Sequence, residues 1–192
     1  MAVPEEYFKG SIHFSGDCYV ADYTDRTDSK RGVEMSESPF DDIDSFHLKH
    51  NKNCHLEYIG VNFEHYPHFI KGIQNCECMF HALSDVNKPW TLFLEMKYCD
   101  YDNIEGYAFK AYSQMKDTLD RLSSLDLIDP NKRRLYFVYS IPEHEATEPF
   151  GAFTLSQNDT LKTYEESGIK LLGNNTMLIA TPSYLFEQKA AI

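Results

Sequence analysis

The sequence predicts an α/β fold, and three observations carry that prediction. Residues 76–83 and 90–98 are apolar segments on either side of the polar stretch 84–89, the pattern of two strands joined by a turn. Ile104, Tyr107, Ala108, Ala111, Met115, Leu119 and Leu122 recur at three- and four-residue intervals, which gives a helix over 104–122 one apolar stripe. Residues 135–141 (LYFVYSI) form an unbroken apolar run of strand length. Strand, strand, helix, strand is the order of an α/β unit. The 135–141 strand is therefore expected parallel to the 90–98 strand, with the helix as a right-handed crossover.

Taken in order, Ile12-His13-Phe14 and Cys18-Tyr19-Val20 are separated by Ser15-Gly16-Asp17, which is turn chemistry and suggests a hairpin. Residues 22–45 are rich in Asp, Glu and Ser and read as an acidic, solvated loop or mobile segment. His47, His50, His55, His65 and His68 crowd the next stretch, but none of their spacings matches a helical HExxH or a zinc finger. Residues 56–63 suit a strand leading into the core. Asp102-x-x-Glu105 has the form of a capping box for the helix, and Asp129-Pro130-Asn131 ends the connection that follows it. Lys132-Arg133-Arg134 is the densest basic cluster of the chain. Towards the C-terminus, residues 153–155 suggest a short strand, 160–166 a short helix and 177–181 a further strand.

Composition sets the outer bounds. A chain of 192 residues is long enough for one domain with a real core, and 42% hydrophobic with 25% charged residues is ordinary for a globular protein. Thirteen Tyr and thirteen Phe favour a well-packed sheet over a helical bundle. No apolar run reaches membrane-spanning length, and the N-terminal residues lack the pattern of a signal peptide, so a cytoplasmic location without membrane association is expected. Five scattered cysteines then read as reduced thiols. The net charge of −12 opposes indiscriminate nucleic-acid binding, yet a local basic patch can act within an acidic protein.

The hairpin carries the chemistry. Side chains alternate along a strand, so Phe93, Glu95 and Lys97 share one face and Glu77, Met79 and His81 share the matching face of the partner. With a five-residue loop, Glu77 falls opposite Glu95, where Cβ atoms approach to roughly 4.5–5.5 Å. Two carboxylates and a lysine on a buried face are costly unless they serve a purpose. As a metal site, Glu77 and Glu95 supply hard oxygen ligands for Mg²⁺ or Mn²⁺, and Lys97 positions water or stabilises charge on a phosphate. Gln114, or Lys110 one turn earlier, is placed to join them from the helix. The plainer reading is a solvated ion pair at a strand end. A zinc site built on Cys76-x-Cys78 with Cys54, His55 or His81 is the chemical alternative, set against the reading of two small core residues.

An acid-bearing strand, a turn, an apolar strand ending Glu95-x-Lys97 and an amphipathic helix carrying Gln114 resemble the PD-(D/E)xK phosphodiesterase superfamily, over roughly residues 56–141. The resemblance implies a restriction-endonuclease-like mixed central sheet flanked by helices, inside a chain whose length suits a single domain, 1–192. It also implies a Mg²⁺- or Mn²⁺-dependent nuclease with Glu77, Glu95, Lys97 and Gln114 at its site, with nucleic acid as substrate and DNA favoured over RNA. Glu77 stands where the pattern usually has Asp, and Glu57 or Glu64 is the candidate for an earlier acid. The superfamily also contains members without catalysis, so the contrasting expectation is a non-catalytic α/β interaction module that binds a protein partner.

Overall fold

The computed structural model describes residues 8, 10–24, 32–65, 72, 74–144 and 157–188, and the fold is α/β, with two mixed sheets. Sheet A has six strands. In spatial order these are β1 (Ile12–Phe14), β5 (Glu57–Asn62), β6 (Cys78–Leu83), β7 (Trp90–Met96), β8 (Arg134–Ser140) and β9 (Ile169–Gly173). Sheet B runs β11 (Tyr184–Glu187), β10 (Thr176–Thr181), β4 (Phe46–His50), β2 (Cys18–Asp22) and β3 (Val33–Ser36). Two helices, α1 (Ile104–Ser124) and α2 (Gln157–Ser167), connect β7 to β8 and β8 to β9. Both of those strand pairs are parallel, whereas β5, β6 and β7 form an antiparallel meander.

Alternation in the central strands explains the layering. Ile59, Val61, Met79, Phe93, Leu135 and Phe137 meet the stripe of α1 made by Ile104, Ala108, Ala111, Met115, Leu119 and Leu122. Their neighbours in sequence, Tyr58, Phe80, Leu92, Leu94 and Val138, point the other way and pack on Val20, Phe46, Leu48, Met177 and Ile179 of sheet B. A central strand covered on both faces reads as a continuous apolar run, as 90–96 does. Helix thus covers one face of sheet A and a second sheet covers the other. Tyr107, assigned to the helical stripe from sequence, lies at its rim and is half-exposed.

Several local expectations are corrected. The segments at 12–14 and 18–22 are both strands but do not pair as a hairpin: β1 joins β5 in sheet A, and β2 joins β3 and β4 in sheet B. Phe14 stacks on Tyr58 with centroids 5.4 Å apart, and the Tyr58 hydroxyl donates to the Gly16 carbonyl at 2.7 Å, which fixes the chain where it crosses between sheets. Inside the acidic stretch 22–45, residues 33–36 form β3, and 37–45 run as an irregular connection. The helix start is a 3-10 turn, Tyr101–Asn103, whose last residue is the cap and makes no side-chain cap hydrogen bond, in place of a capping box opened by Asp102. The strand β11 has no counterpart in the sequence reading. The expected strand at 153–155, and His68, lie outside the described residues.

At Gly60 a side chain of sheet B packs directly on the backbone of sheet A. A Cβ there would lie 2.8 Å from the Met35 sulfur and 3.0 Å from the rings of Phe14 and Phe80. Gly60→Ala should therefore destabilise the fold by about 1–3 kcal/mol through overpacking. For a chain of this size that is a fall in Tm of roughly 2–12 °C. An unchanged Tm in thermal denaturation would contradict the close approach.

Candidate functional site

All seven residues of β7 are buried, including Glu95. Its side chain points to the α1 side of sheet A with Phe93, as alternation requires. The ladder between β6 and β7 pairs Cys78 with Leu94 and Met79 with Phe93. Continued by one residue, that register sets Glu77 opposite Glu95, although the connection spans six residues, 84–89. Glu77 lies just before β6. Its carbonyl accepts the Phe63 N–H at 3.0 Å, and its Oε2 accepts the Met96 N–H at 2.6 Å, so the segment is tied to both neighbouring strands.

Lys97 completes the cluster. Its backbone N–H extends the parallel ladder by donating to the Ser140 carbonyl at 2.9 Å. Its Nζ lies 2.6 Å from Glu95 Oε1 and 3.6 Å from Glu77 Oε1. The side chains grade from dry to wet: Glu95 is 0% exposed, Glu77 11% and Lys97 22%. Glu95 Oε2 is buried with no hydrogen-bond partner. Trp90 Nε1 in the apolar core is unpartnered as well, so what sets Glu95 apart is a buried carboxylate with a second carboxylate and an ammonium beside it.

Burial pushes the Glu95 carboxyl up to about 6 even though Lys97 pulls it down. Burial, followed by the nearby Glu95 charge, holds Glu77 well above the usual carboxylate range. Burial opposes the charge on Lys97, but Glu77 and Glu95 outweigh it and hold the ammonium above its ordinary value. Asp22, at the end of β2 in the other sheet, adds its negative field to all three. Sequence reasoning placed Asp22 at the edge of a loop. No local signal marks it, because only the packing of sheet B on sheet A brings it here.

Gln114 sits on α1 and donates from Nε2 to the Asn75 carbonyl at 3.1 Å, while its Oε1 is buried and unpartnered. It therefore holds the backbone that leads into Glu77. Lys110 is exposed on the same helix. Glu57 is at the far end of β5, paired with Leu83, and Glu64 accepts the Val33 N–H at 3.0 Å. Cys76 and Cys78 part company: Cys76 joins the core beneath α1, and Cys78 joins the core between the sheets. Burial drives both thiols well up, and their places in different cores suit two small packing residues. Among the described residues, no three His, Cys, Asp or Glu side chains gather closely enough to cage a metal by themselves.

The raised Glu95 value has a consequence for stability. Between the ordinary glutamate value and about 6, the folded chain holds a proton that the unfolded chain has released, so stability falls as pH rises through that window. The loss is about 2 kcal/mol and complete above it. Lys97 acts in the same sense at higher pH, its held-up ammonium leaving its contribution intact at neutral pH and losing it only in strong alkali. Urea unfolding of Glu95→Gln from pH 4.5 to 8 should give a profile flatter than that of the native chain by about that amount; parallel profiles would refute the assignment. Compared with known proteins, the chain matches no protein-family model, no curated protein and no solved structure.

Proposed function

We propose that this chain is a metal-dependent phosphodiesterase of the PD-(D/E)xK kind, acting on nucleic acid within a restriction-endonuclease-like fold. One observation carries the reading. Glu77, Glu95 and Lys97, from two strands joined by a turn, converge at one end of sheet A with a buried carboxylate oxygen left unpartnered. The order of antiparallel hairpin, helix α1 and parallel strand β8 supports it.

The residues suit a hard divalent cation. Mg²⁺ is commonly held by one or two carboxylates with waters and substrate phosphates completing its shell, so Glu77 and Glu95 suffice without a third protein ligand. When bound, Mg²⁺ or Mn²⁺ would polarise a phosphate oxygen and acidify a water. The chain's own residues do the rest. Lys97, protonated at neutral pH, is a hydrogen-bond donor for a non-bridging phosphate oxygen and stabilises the charge that grows there. The Met96 N–H holds the Glu77 carboxylate, and Gln114 holds the Asn75 backbone two residues before it. Phe93 and the core beneath α1 keep water from the far side of Glu95.

A second reading draws on one fact, the complete burial of Glu95 against Lys97. An ammonium already set between two carboxylates serves as the internal counterion of a non-catalytic α/β module that binds a protein partner.

Incubation with single- and double-stranded DNA and RNA in Mg²⁺ or Mn²⁺ separates the two. We expect metal-dependent cleavage that drops at least a hundredfold in both Glu95→Ala and Lys97→Ala, and a metal-induced rise in Tm at pH 7.5 that Glu95→Ala lacks. Absence of both cleavage and any metal-dependent Tm change would leave the ion cluster as architecture and favour the second reading.

A further inference from the structure

The opposite end of the β6–β7 hairpin holds a second unusual group. Arg133, just before β8, is 8% exposed and has no carboxylate partner among the described residues. Its Nη1 donates to the Ala82 carbonyl at 3.2 Å, and its Nη2 donates to His81 Nε2. His81 in turn donates from Nδ1 to the Thr91 hydroxyl at 3.1 Å. Burial, with the Arg133 charge beside it, drives His81 down to about 3, so the imidazole is neutral and Nε2 is an acceptor. Two of the five guanidinium N–H groups are thus used on neutral acceptors. Buried charges are ordinarily paired, and this one lacks its anion.

Arg133 opens onto a cavity of about 470 Å³ lined also by Ser84, Asn87, Lys88, Asn131 and Lys132. An adjoining cleft of about 370 Å³ shares Lys88, Asn131 and Arg133 and adds Arg134 and Tyr164. The acids nearby are Asp85 and Glu166, which line the two hollows, and Asp129, which forms an exposed pair with Lys132 at 3.0 Å. Exposed pairs of that kind contribute little and yield readily to another anion. Aromatic rings adjoin the cations. The Arg134 guanidinium lies 4.0 Å over the Tyr184 ring, and Tyr184 stacks on Phe186 with centroids 6.4 Å apart at 8°. Both rings are substantially exposed, at 43% and 51%. The Ser183 hydroxyl, donating to the Asn87 carbonyl at 3.4 Å, ties the β10–β11 turn to the hairpin turn, and Arg134, which lines the cleft with Lys88 and Arg133, links those cations to the Tyr184 ring.

We propose that this end of the molecule binds a single strand of nucleic acid, with Arg133, Lys88 and Lys132 taking phosphates and Tyr184 and Phe186 stacking bases. Guanidinium and ammonium groups match phosphate oxygens, and exposed rings match the open faces of unpaired bases. A duplex hides those faces, so it gains only the phosphate contacts. The surface is separate from the Glu77–Glu95–Lys97 cluster and needs no metal.

Fluorescence anisotropy with labelled ten-nucleotide oligo-dT and oligo-U, beside a blunt duplex, tests this in EDTA, where the acid cluster has no cation to use. The native chain should bind the single strands more tightly than the duplex. Lys88→Glu with Lys132→Glu should weaken binding at least tenfold and make the log–log salt dependence shallower by about 1.4, the value for two phosphate contacts on a single strand. Tyr184→Ala and Phe186→Ala should each weaken it by roughly five- to a hundredfold with an unchanged salt slope. These four positions lie at the surface, so unaltered Tm values will establish that the variants fold; Arg133→Lys then tests the buried group itself. No binding of either single strand at 50 mM salt, tighter binding of the duplex, or native affinity in the charge-reversal variant overturns the proposal. None of these outcomes bears on metal-dependent cleavage, which is measured separately.

Discussion

The structure depends first on the burial of β7 on both faces. A strand in that position has nowhere to place a polar group except at its ends, and the chain uses both ends. Along the interior, Leu92, Phe93 and Leu94 feed alternate cores. At the last turn, Glu95 is still beneath α1 while Lys97 has reached the edge of the cover, so the ammonium can reach back to the carboxylate and keep contact with water. A carboxylate in that location stays ionised only if a cation answers it, whether lysine or metal. The antiparallel register then delivers Glu77 to the same point.

The cluster is also held from the second sheet. The Tyr98 hydroxyl donates to the Asp44 carbonyl at 2.7 Å and accepts from the Asp22 N–H at 3.4 Å, which joins the exit of β7 to the end of β2. Asn175 does the same for β8. Its Oδ1 accepts from the Ser140 hydroxyl and the Ile141 N–H, its Nδ2 donates to the carbonyls of Ile141 and His144, and its own carbonyl accepts the His47 N–H. The C-terminal ends of β7 and β8 are therefore fixed to sheet B by directional bonds as well as by apolar contact. Such bonds set position more sharply than hydrophobic burial, which has no direction.

The sequence disclosed what local periodicity controls. Residues 57–62, 78–83, 90–96 and 134–140 are strands because their apolar runs have strand length, and α1 follows its stripe within two residues. The opposition of Glu77 and Glu95 was legible for the same reason, since both lie on one hairpin. Sheet B was largely hidden. Val33 to Ser36 offers one buried residue in four, and Tyr184 and Phe186 face outward, so neither strand carries a strong apolar signal. The apparent hairpin at 12–20 misled because turn residues at 15–17 serve a crossing between sheets equally well. Asp22 and Arg133 acquire their character from contacts 50 or more positions away, with Arg133 bonding His81 at a separation of 52. Residue spacing holds no trace of such meetings.

The arrangement of sheet B also bears on how the chain is made. β10 is an interior strand, hydrogen-bonded in parallel to β4 on one side and antiparallel to β11 on the other. The N-terminal strands β2, β3 and β4 thus leave an open edge that only residues far along the chain can close. During synthesis that edge waits while the meander, α1 and β8 emerge, with Leu48 short of its ladder partner Met177 and His50 of Ile179. Unsatisfied edges attract other chains. Late closure makes the fold one of high contact order, and the nascent chain is most vulnerable to misassociation in the interval before residues 176–187 leave the ribosome.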